Sequence, residues 1–255
     1  MDISVNWDKE AHRYQEVFKR CGSNEYNKQL MDFFINELDI NSGKRVIDIG
    51  CGVGKYGTLF ASLGCDVSLT DISSEMLRHA RNNMAELPGK HDFLCCDFNE
   101  VSLQEPIFKE GYDLAISTMS PAIHDEATLK KMSAISRGWC FVSNFCHWEQ
   151  PIRDEYHRLM GDTPKHVMNV PRMKERIEEL QDCIKSLGYE VHSKVVDYSW
   201  TDIRSPQEAA ERFSSEDQSE DIRRRSLEII NKLCNEKGQF VDTVNTKVTW
   251  TYWKV

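Results

Sequence analysis

The sequence predicts an α/β protein built on a doubly wound, mostly parallel sheet of seven strands, with helices before it and a helical insertion late in the chain. Two observations predict this class. After residue 43, short apolar runs of strand length alternate with helical stretches, which is the pattern of βαβ units. The 255 residues are enough for one large core, and 40% hydrophobic with 29% charged residues is ordinary for a globular protein.

Two helical stretches precede the first strand. The segment "WDKEAHRYQEVFKR" is polar and charged, whereas in the next one Leu30, Phe33, Phe34 and Leu38 fall on one helical stripe. We expect residues 1–43 to form a helical lid.

Five strands follow in a βαβ series. The first, "VIDIG", is a continuous apolar run, as in a parallel strand covered on both faces. The other four are "CDVSLTD", "HDFLCCDF", "YDLAIST" and "CFVSNF". A helix ending near Gly64 follows the first strand, Ser73 or Ser74 begins the helix after the second, and "DEATLKKMSAIS" is helical between the last two.

The second half of the chain is less regular. Pro171 opens an amphipathic helix that Gly188 ends. A strand, two charged helical stretches and a last strand rich in Thr, Val, Trp and Tyr complete the chain, and that strand can insert antiparallel. We expect residues 44–255 to form the main domain, with a substrate cap within residues 148–238.

The loop after the first strand has two interpretations. Gly52-x-Gly54-x-x-Gly57 matches a dinucleotide fingerprint, whereas Asp48-x-Gly50-x-Gly52-x-Gly54 resembles another type of cofactor loop. Both depend on glycines that let the backbone turn and approach a ligand, and on a helix N-terminus that follows. Both also accept Asp71 as an acid for ribose hydroxyls, about 20 residues further on.

Three features separate the two interpretations. Asp48 lies inside the strand, where it would repel a pyrophosphate but attract an ammonium. Asp97, beside Phe98 at the end of the third strand, can accept from an adenine amine while the ring packs on the base. A nicotinamide-binding domain usually begins at its first strand, yet about 45 residues precede this one. Gly57 then becomes a small residue that packs its helix closely on the sheet.

With these features, the stretch "VIDIGCGVGKYGTLFASLGCDVSLTDISSEMLRHAR" resembles the first two motifs of class I S-adenosylmethionine-dependent methyltransferases. The resemblance covers residues 44–145. It implies a Rossmann-like methyltransferase fold whose last strand is antiparallel, with S-adenosylmethionine as cofactor and S-adenosylhomocysteine as product. The resemblance places Asp48, Gly50, Cys51 and Gly52 at the methionine end of the cofactor.

The resemblance extends to the nucleoside end. It implies that Asp71 binds the ribose hydroxyls, that Ile72 lies beside the adenine, and that Asp97 and Phe98 contact the base. Ser117, near the end of the fourth predicted strand, is also expected to bind the cofactor.

The loop "STMSPAIHD" after the fourth strand is expected to face the transferring methyl group. Enzymes that methylate amino groups of bases or glutamine carry an Asn-Pro-Pro-Tyr type of motif here. In this chain Thr118 stands where that motif would begin, Ser120-Pro121 come two residues late, and Ala122 and Ile123 replace the second proline and the aromatic residue. The loop therefore departs from the pattern of nucleic-acid enzymes.

Several side chains are candidates for the acceptor side. His124 is the best candidate for a general base, although it or Asp125 can equally cap the next helix. Substrate contacts are expected from five other residues, for each of which ordinary packing is the alternative: Trp7, Tyr14, Ser120, Cys146 and Trp148.

Composition narrows the partners and the compartment. The net charge is −9 and the one dense basic run, Arg223 to Arg225, adjoins acidic residues, so nucleic acid is not the favoured partner. No apolar run is long enough to span a membrane, and the N-terminus lacks a signal-peptide pattern. Nine cysteines without metal-ligand spacing predict reduced thiols and no metal. We expect a cytoplasmic monomer or homodimer.

The sequence therefore predicts a methyltransferase that moves the methyl group of S-adenosylmethionine to a small-molecule O, N or S acceptor by direct displacement. Alignment of the acceptor with the sulfonium supplies much of the rate in such transfers. The alternatives are a methyltransferase acting on tRNA, rRNA or protein, a catalytically inactive S-adenosylmethionine-binding regulator, and a nicotinamide dehydrogenase.

Overall fold

A computed structural model describes residues 3–20, 25–161, 170–213 and 219–255 of the chain. The strands in these residues are β1 (Arg45–Ile49), β2 (Asp66–Asp71), β3 (His91–Cys95), β4 (Tyr112–Thr118), β5 (Ser136–Glu149), β6 (His192–Arg204) and β7 (Phe240–Lys254). The α-helices are α1 (Ile3–Arg20), α2 (Glu25–Asn36), α3 (Lys55–Ser62), α4 (Ser74–Met84), α5 (Glu126–Ile135), α6 (Pro151–Met160), α7 (Val170–Ser186), α8 (Pro206–Phe213) and α9 (Glu220–Leu233).

The seven strands form one sheet in the order β3-β2-β1-β4-β5-β7-β6. The first five pair in parallel. β7 lies between β5 and β6 and runs antiparallel to β6. Tyr252 of β7 stacks on His192 of β6, and Trp250 lies beneath Lys194. From the first pair to the second, the residue number falls by two in β7 and rises by two in β6, as in an antiparallel pair. The predicted fold class, including an antiparallel last strand, is confirmed.

The five parallel strands are covered by helices on both faces, as a doubly wound sheet requires. Ile47 and Ile49 of β1 share one buried cluster with Leu129 and Met132 of α5 and Ile184 of α7. A second group is aromatic and lies on the other face of the sheet, where it joins α2 and α3 to β5 and β7. Its members are Phe33, Phe34, Phe60, Phe141 and Trp250. These two layers hold the parallel strands in place, and the loops of the site follow the carboxyl ends of those strands.

Local signals set the helix starts that matter for the site. Ser73 caps α4 by accepting a hydrogen bond from the Met76 amide, as predicted. Gly57, in the first turn of α3, packs the helix closely: a Cβ added there would lie 2.8 Å from Cδ2 of Leu69 and 3.4 Å from Sδ of Met84. The predicted packing role of Gly57 is confirmed.

The chain divides into two compact units, and the boundaries between them fall within the long strands β5, β6 and β7. Unit 1 consists of Met1–Asn144, Glu175–Val195 and Thr249–Val255, and unit 2 of Phe145–Lys174 and Val196–Val248. Unit 2 has its own small core, in which α6, α8 and α9 contribute to one cluster: Tyr156, Ala209, Ala210, Ile229, Ile230 and Phe240. The lid over residues 1–43 and the cap within residues 148–238 remain predictions.

Two elements differ from the sequence prediction. The strand predicted as "CFVSNF" extends over Ser136–Glu149, and α6 follows it in a stretch that showed no clear pattern. Pro151 begins α6 and Gly161, with a φ of 78°, ends it, so the signals were present at its two ends. Its buried stripe is short, with Tyr156 and His157 as its buried residues.

Candidate functional site

The glycine loop between β1 and α3 is held to the sheet by its own backbone. The amides of Gly50 and Cys51 both donate to the Thr70 carbonyl, at 2.8 and 3.0 Å. Gly50 has a φ of 68°, and a Cβ there would lie 2.0 Å from Oγ of Ser120, so the loop after β4 passes directly against it. The structure therefore brings Gly50 and Ser120 together at one edge of the sheet.

Space opens two residues further along this loop, at Gly52. Gly52 has a φ of 55°, and the nearest atom to a Cβ added there is Sδ of Met76, at 3.9 Å. Cys51 between the two glycines is buried, and its thiol donates to the Gly52 carbonyl at 3.4 Å. Burial raises the pKa of this thiol well above its usual range, so Cys51 is a neutral side chain and not a thiolate nucleophile.

Asp48 is a fully buried carboxyl near the carboxyl end of β1, an interior strand of the sheet. Neither of its oxygens has a hydrogen-bond partner among the residues that the structure describes. Burial, and then repulsion from Asp71, raise its pKa to about 7, and the backbone amide of Gly57 opposes this rise only in part. An unpaired buried carboxylate is destabilising unless a cation reaches it, so this position fits a cationic ligand.

Asp71, the last residue of β2, contacts the same glycine loop. Its Oδ2 accepts from the Gly52 amide at 2.8 Å, and its Oδ1 accepts from the Ser73 amide at 2.9 Å. Burial raises the pKa of Asp71, although these amides act in the opposite direction. A carboxylate has about four acceptor positions, so Asp71 keeps acceptor capacity for a hydroxyl donor beside these amides.

The N-terminal helix α1 packs over this region. Asp8 accepts from the Ser73 hydroxyl at 2.6 Å and from the Glu75 amide at 3.2 Å, which places a second acid beside Asp71 at the start of α4. Gln15 and Asn83 exchange two side-chain hydrogen bonds, and Asn83 also donates to the Val53 carbonyl of the glycine loop. Sequence reasoning missed these contacts, because no local motif marks them.

Two predicted substrate residues lie on α1. Trp7 packs against a small cluster formed by Ala11, Val53 and Met76. Tyr14 is exposed, at 39%, and its ring meets that of Trp7 edge-on at 6.2 Å. Trp7 is therefore part of the contact between α1 and the glycine loop.

The loop after β3 holds the predicted adenine contacts. Asp97 is exposed and its Oδ1 accepts from the Asn99 amide at 2.9 Å. Phe98 corrects the prediction that its ring packs on the base: the ring is only 4% exposed and meets Phe108 edge-on in the core. Ile72, half-buried between Asp71 and Ser73, stays at the edge of the site.

Ser117 also differs from its prediction as a cofactor residue. It is fully buried within β4, and its hydroxyl donates to the Ile49 carbonyl of β1 at 3.0 Å. This bond joins two neighbouring strands, so the hydroxyl is used inside the sheet. A position near a strand end does not reveal from the sequence whether the side chain points out of the sheet edge or along it.

The loop after β4 begins with a residue in an uncommon conformation. Met119 has a φ of 52°, which is unfavourable for a side chain of this size, and its Sδ accepts from the Tyr56 hydroxyl at 3.8 Å. The Ser120 hydroxyl accepts from the Ala122 amide at 3.2 Å. Backbone outliers of this kind cluster at functional sites, and Tyr56 is a neighbour that the sequence did not suggest.

His124 lies exposed at the far end of this loop. Its Nδ1 is 3.1 Å from the Pro121 carbonyl, so Nδ1 carries the proton and Nε2 is the nitrogen that can accept one. Nε2 is 3.7 Å from Oδ2 of Asp125. Asp125 caps α5 in a reciprocal pair with Thr128, so the capping role belongs to Asp125 and not to His124.

The remaining predicted substrate residues lie in unit 2. Cys146 is buried, and its thiol donates to the Lys247 carbonyl at 3.4 Å. Trp148 belongs to a cluster of half-buried rings with Phe145, Tyr198 and Trp200, whose neighbouring centroids are 5.0 to 6.3 Å apart. These rings contact one another closely, as aromatic pairs in cores do.

In the described ranges, no cluster of His, Cys, Asp or Glu could hold a metal ion, and no helix is long and apolar enough to cross a bilayer. Eight cysteines are free thiols there, and Cys21 lies outside the described residues.

Comparison with known proteins bears on this geometry. Residues 46–137, which run from β1 to the start of β5, match the model of a methyltransferase domain family. This part of the chain is a class I methyltransferase domain. The domain includes the glycine loop, both buried acids and the loop after β4. The predictions of a methyltransferase family and a Rossmann-like fold are confirmed.

Individual relatives of the domain differ in what they modify. The 23S rRNA (uracil(1939)-C(5))-methyltransferase RlmD of Shewanella amazonensis is 33% identical over 84 residues, which are 32% of this chain and 19% of the relative. The malonyl-[acyl-carrier protein] O-methyltransferase of Magnetococcus marinus is 28% identical over 119 residues, 46% of this chain and 38% of the relative. The matches therefore span less than two fifths of the length of these relatives.

One solved structure is similar over nearly the whole chain. A SAM-dependent methyltransferase from Thiobacillus denitrificans, in complex with S-adenosylhomocysteine, has a TM-score of 0.51 and 16% identity over 98% of both chains. At this identity the likeness concerns the fold.

Proposed function

We propose that the protein transfers the methyl group of S-adenosylmethionine to a small-molecule acceptor through an O, N or S atom, by direct displacement. The observation that carries this proposal is the pair of buried acids beside the open glycine loop. Asp48 has no partner among the described residues, and Asp71 keeps acceptor positions next to Gly52. S-adenosylmethionine carries both an ammonium and ribose hydroxyls, which are the groups that these two acids would take.

The residues present fit this cofactor from one end to the other. Asp48 and the loop of Gly50, Cys51 and Gly52 would hold the methionine end, where the ammonium compensates the buried carboxylate. Asp71 would hold the ribose, and Ile72 with Asp97 would hold the adenine. When bound, the cofactor supplies a sulfonium methyl group with a good leaving group. The neighbour from Thiobacillus denitrificans, crystallised with S-adenosylhomocysteine, supports this choice.

On the acceptor side, the chain's own residues have two tasks. The first is to exclude water and align the acceptor, for which Ser120 lies close to Gly50 and Met119 to Tyr56. The second is to remove a proton where the acceptor carries one. Nε2 of His124 is suited to that role, because the Pro121 carbonyl occupies Nδ1.

A small molecule is favoured over nucleic acid by charge. The chain has a net charge of −9, and binding to a phosphate backbone generally needs a basic surface. Its loop after β4 also lacks the Asn-Pro-Pro-Tyr type of motif. The rRNA enzyme among the relatives keeps an RNA acceptor as the second candidate. A cofactor-binding regulator without activity is the alternative that the transfer assay below would reveal.

The test measures binding and transfer separately. Isothermal titration with S-adenosylhomocysteine is compared for the wild type, Asp71→Ala and Asp32→Asn, an exposed carboxylate on α2 that serves as the control. We expect Asp71→Ala to weaken binding about 100-fold, since it removes a charged partner of two hydroxyls, and Asp32→Asn to change nothing. No binding by the wild type, or equal binding by Asp71→Ala, would refute the cofactor assignment.

Transfer is followed with methyl-labelled S-adenosylmethionine in a cell extract separated into metabolite, RNA and protein fractions. We expect the label in the metabolite fraction. Label in RNA selects the second candidate, and label in protein selects a protein acceptor instead. Binding without label in any fraction selects the inactive regulator.

A further inference from the structure

The loop after β3 is held by a lysine that comes from α5. Nζ of Lys131 donates to three backbone carbonyls of that loop, those of Phe98 at 3.3 Å, Asn99 at 2.5 Å and Val101 at 2.9 Å. An ammonium group has three donors, so this set uses all of them. The side chain therefore acts as a clamp on one turn of backbone.

This arrangement differs from that of the adjacent lysine. Lys130 is exposed and pairs with Glu126 one turn earlier in α5, as surface lysines commonly do. Lys131 is half-buried, and within the described ranges its Nζ donates to carbonyl oxygens. The charge of Lys131 is thus directed at the loop backbone.

The clamp reaches the carboxylate of Asp97 through one peptide unit. In a trans peptide the C=O and the following N–H point in opposite directions. The Phe98 carbonyl faces Lys131, so the Asn99 amide faces away from it and donates to Oδ1 of Asp97 at 2.9 Å. The next peptide repeats the pattern, since the Asn99 carbonyl faces Lys131 and the Glu100 amide donates to the Asp97 carbonyl at 3.1 Å.

The loop is also fixed on the side of the sheet. The Cys96 amide donates to the Asp71 carbonyl at 2.9 Å, and the ring of Phe98 is buried in the core. Between these anchors Asp97 is exposed, so its carboxylate points to solvent while its backbone is held. A carboxylate with fixed geometry discriminates better between donors and acceptors on a ligand than a mobile one.

We propose that Lys131 is a positioning residue that orients Asp97 for recognition of the exocyclic amine of the cofactor's adenine, an inference that rests on the proposed function. Lys131 itself touches no ligand. Its effect is on the selection of an amino group over a carbonyl oxygen at that position of the base.

The experiment measures this selection by isothermal titration. The two probes are S-adenosylhomocysteine and S-inosylhomocysteine, in which an oxygen replaces the 6-amino group. The wild type is expected to prefer the adenosyl probe by about tenfold, as for one charge-assisted hydrogen bond. Asp97→Asn and Lys131→Met should both lose most of this preference. Lys130→Met, the control on the same helix, should keep it.

Lys131→Gln, which keeps two N–H donors, provides a milder variant in case Lys131→Met does not fold, and should give an intermediate preference. If the Lys131 variants weaken both probes equally and keep the wild-type preference, while Asp97→Asn loses it, Lys131 is only structural and the inference is overturned. If Asp97→Asn also keeps the preference, the adenine assignment of the proposed function is wrong and the inference falls with it. If the wild type binds neither probe, the cofactor itself is wrong.

Discussion

Each compact unit contains a carboxyl group buried among its own residues, and the two differ in what they contact. In unit 1, Asp48 has no hydrogen-bond partner among the described residues. In unit 2, Oδ2 of Asp242 accepts from Nε2 of Gln150 at 2.7 Å, and its Oδ1 has no partner among the described residues. Burial raises the pKa of both groups. Unit 2 thus gives one oxygen of its buried acid a side-chain partner, whereas unit 1 gives Asp48 none among the described residues, which is consistent with the proposed binding of a cation there.

The largest effect is expected from glycines with the same backbone conformation in the two units. Gly50 in unit 1 and Gly238 in unit 2 have φ values of 68° and 70°. A Cβ at Gly238 would meet nothing within 4 Å, whereas at Gly50 it would lie 2.0 Å from Oγ of Ser120. Gly238→Ala should therefore cost about 1 kcal/mol from backbone strain alone, and Gly50→Ala about 3 kcal/mol or more because a clash is added.

Urea unfolding of both variants checks this difference, and the affinity for S-adenosylhomocysteine should fall only for Gly50→Ala. Equal losses of stability for the two variants would show that Ser120 moves away without cost.

A second effect depends on pH and separates the two buried acids. The pKa of Asp48 is about 7 in the folded protein, against roughly 3.9 for a free aspartate, so deprotonation weakens the folded state as the pH rises from about 4 to 7. Asp48→Asn removes this loss. The ligand-free variant should melt several degrees above the wild type at pH 8, and the gap should close towards pH 4.

The same substitution should weaken binding of S-adenosylhomocysteine at pH 8 about tenfold or more, since the ammonium then meets a neutral amide. Asp242→Asn serves as the comparison and should leave the affinity unchanged. Thermal melts from pH 4 to 8 and titration calorimetry supply both readouts, and a pH-independent gain in Asp48→Asn would contradict the shifted pKa.

The smallest effect is confined to unit 2. The Tyr156 hydroxyl donates to Oγ of Ser226 at 2.8 Å, and both residues are buried. Tyr156→Phe should lower the free energy of unfolding by about 1 to 2 kcal/mol, because the serine loses its partner, and the affinity for S-adenosylhomocysteine should not change.

The control is the double variant with Ser226→Ala, which removes both polar groups and should recover part of the loss. A change in cofactor affinity in Tyr156→Phe would mean that unit 2 contributes to the cofactor site.

The regular parts of unit 1 followed from local sequence. Continuous apolar runs predicted the parallel strands, and Ser73 predicted the start of α4, because a strand buried on both faces and a capped helix each leave a local pattern. In unit 2, α6 was missed, since its pattern of buried residues is short and irregular. Periodicity reveals an element only when one face of it is buried over several turns.

Side-chain direction was beyond the sequence in both units. Ser117 and Phe98 were predicted to face a ligand, and the structure directs one to a neighbouring strand and the other into the core. Lys131 and Asp8 showed the reverse. Nothing in their neighbouring residues indicates that Lys131 holds the loop after β3, 30 residues away in the chain, or that Asp8 holds the start of α4, 65 residues away.

The sequence by itself determined the fold class and the methyltransferase domain. The alternation of strands and helices along the chain, the glycine spacing and the acids near the ends of the first three strands are all local features of the sequence. The tertiary structure alone decided that Asp48 has no partner in the described chain, that Ser120 closes on Gly50, and that Lys131 clamps the loop of Asp97. These facts depend on which segments meet in space, and burial and hydrogen bonding between distant segments leave no local pattern.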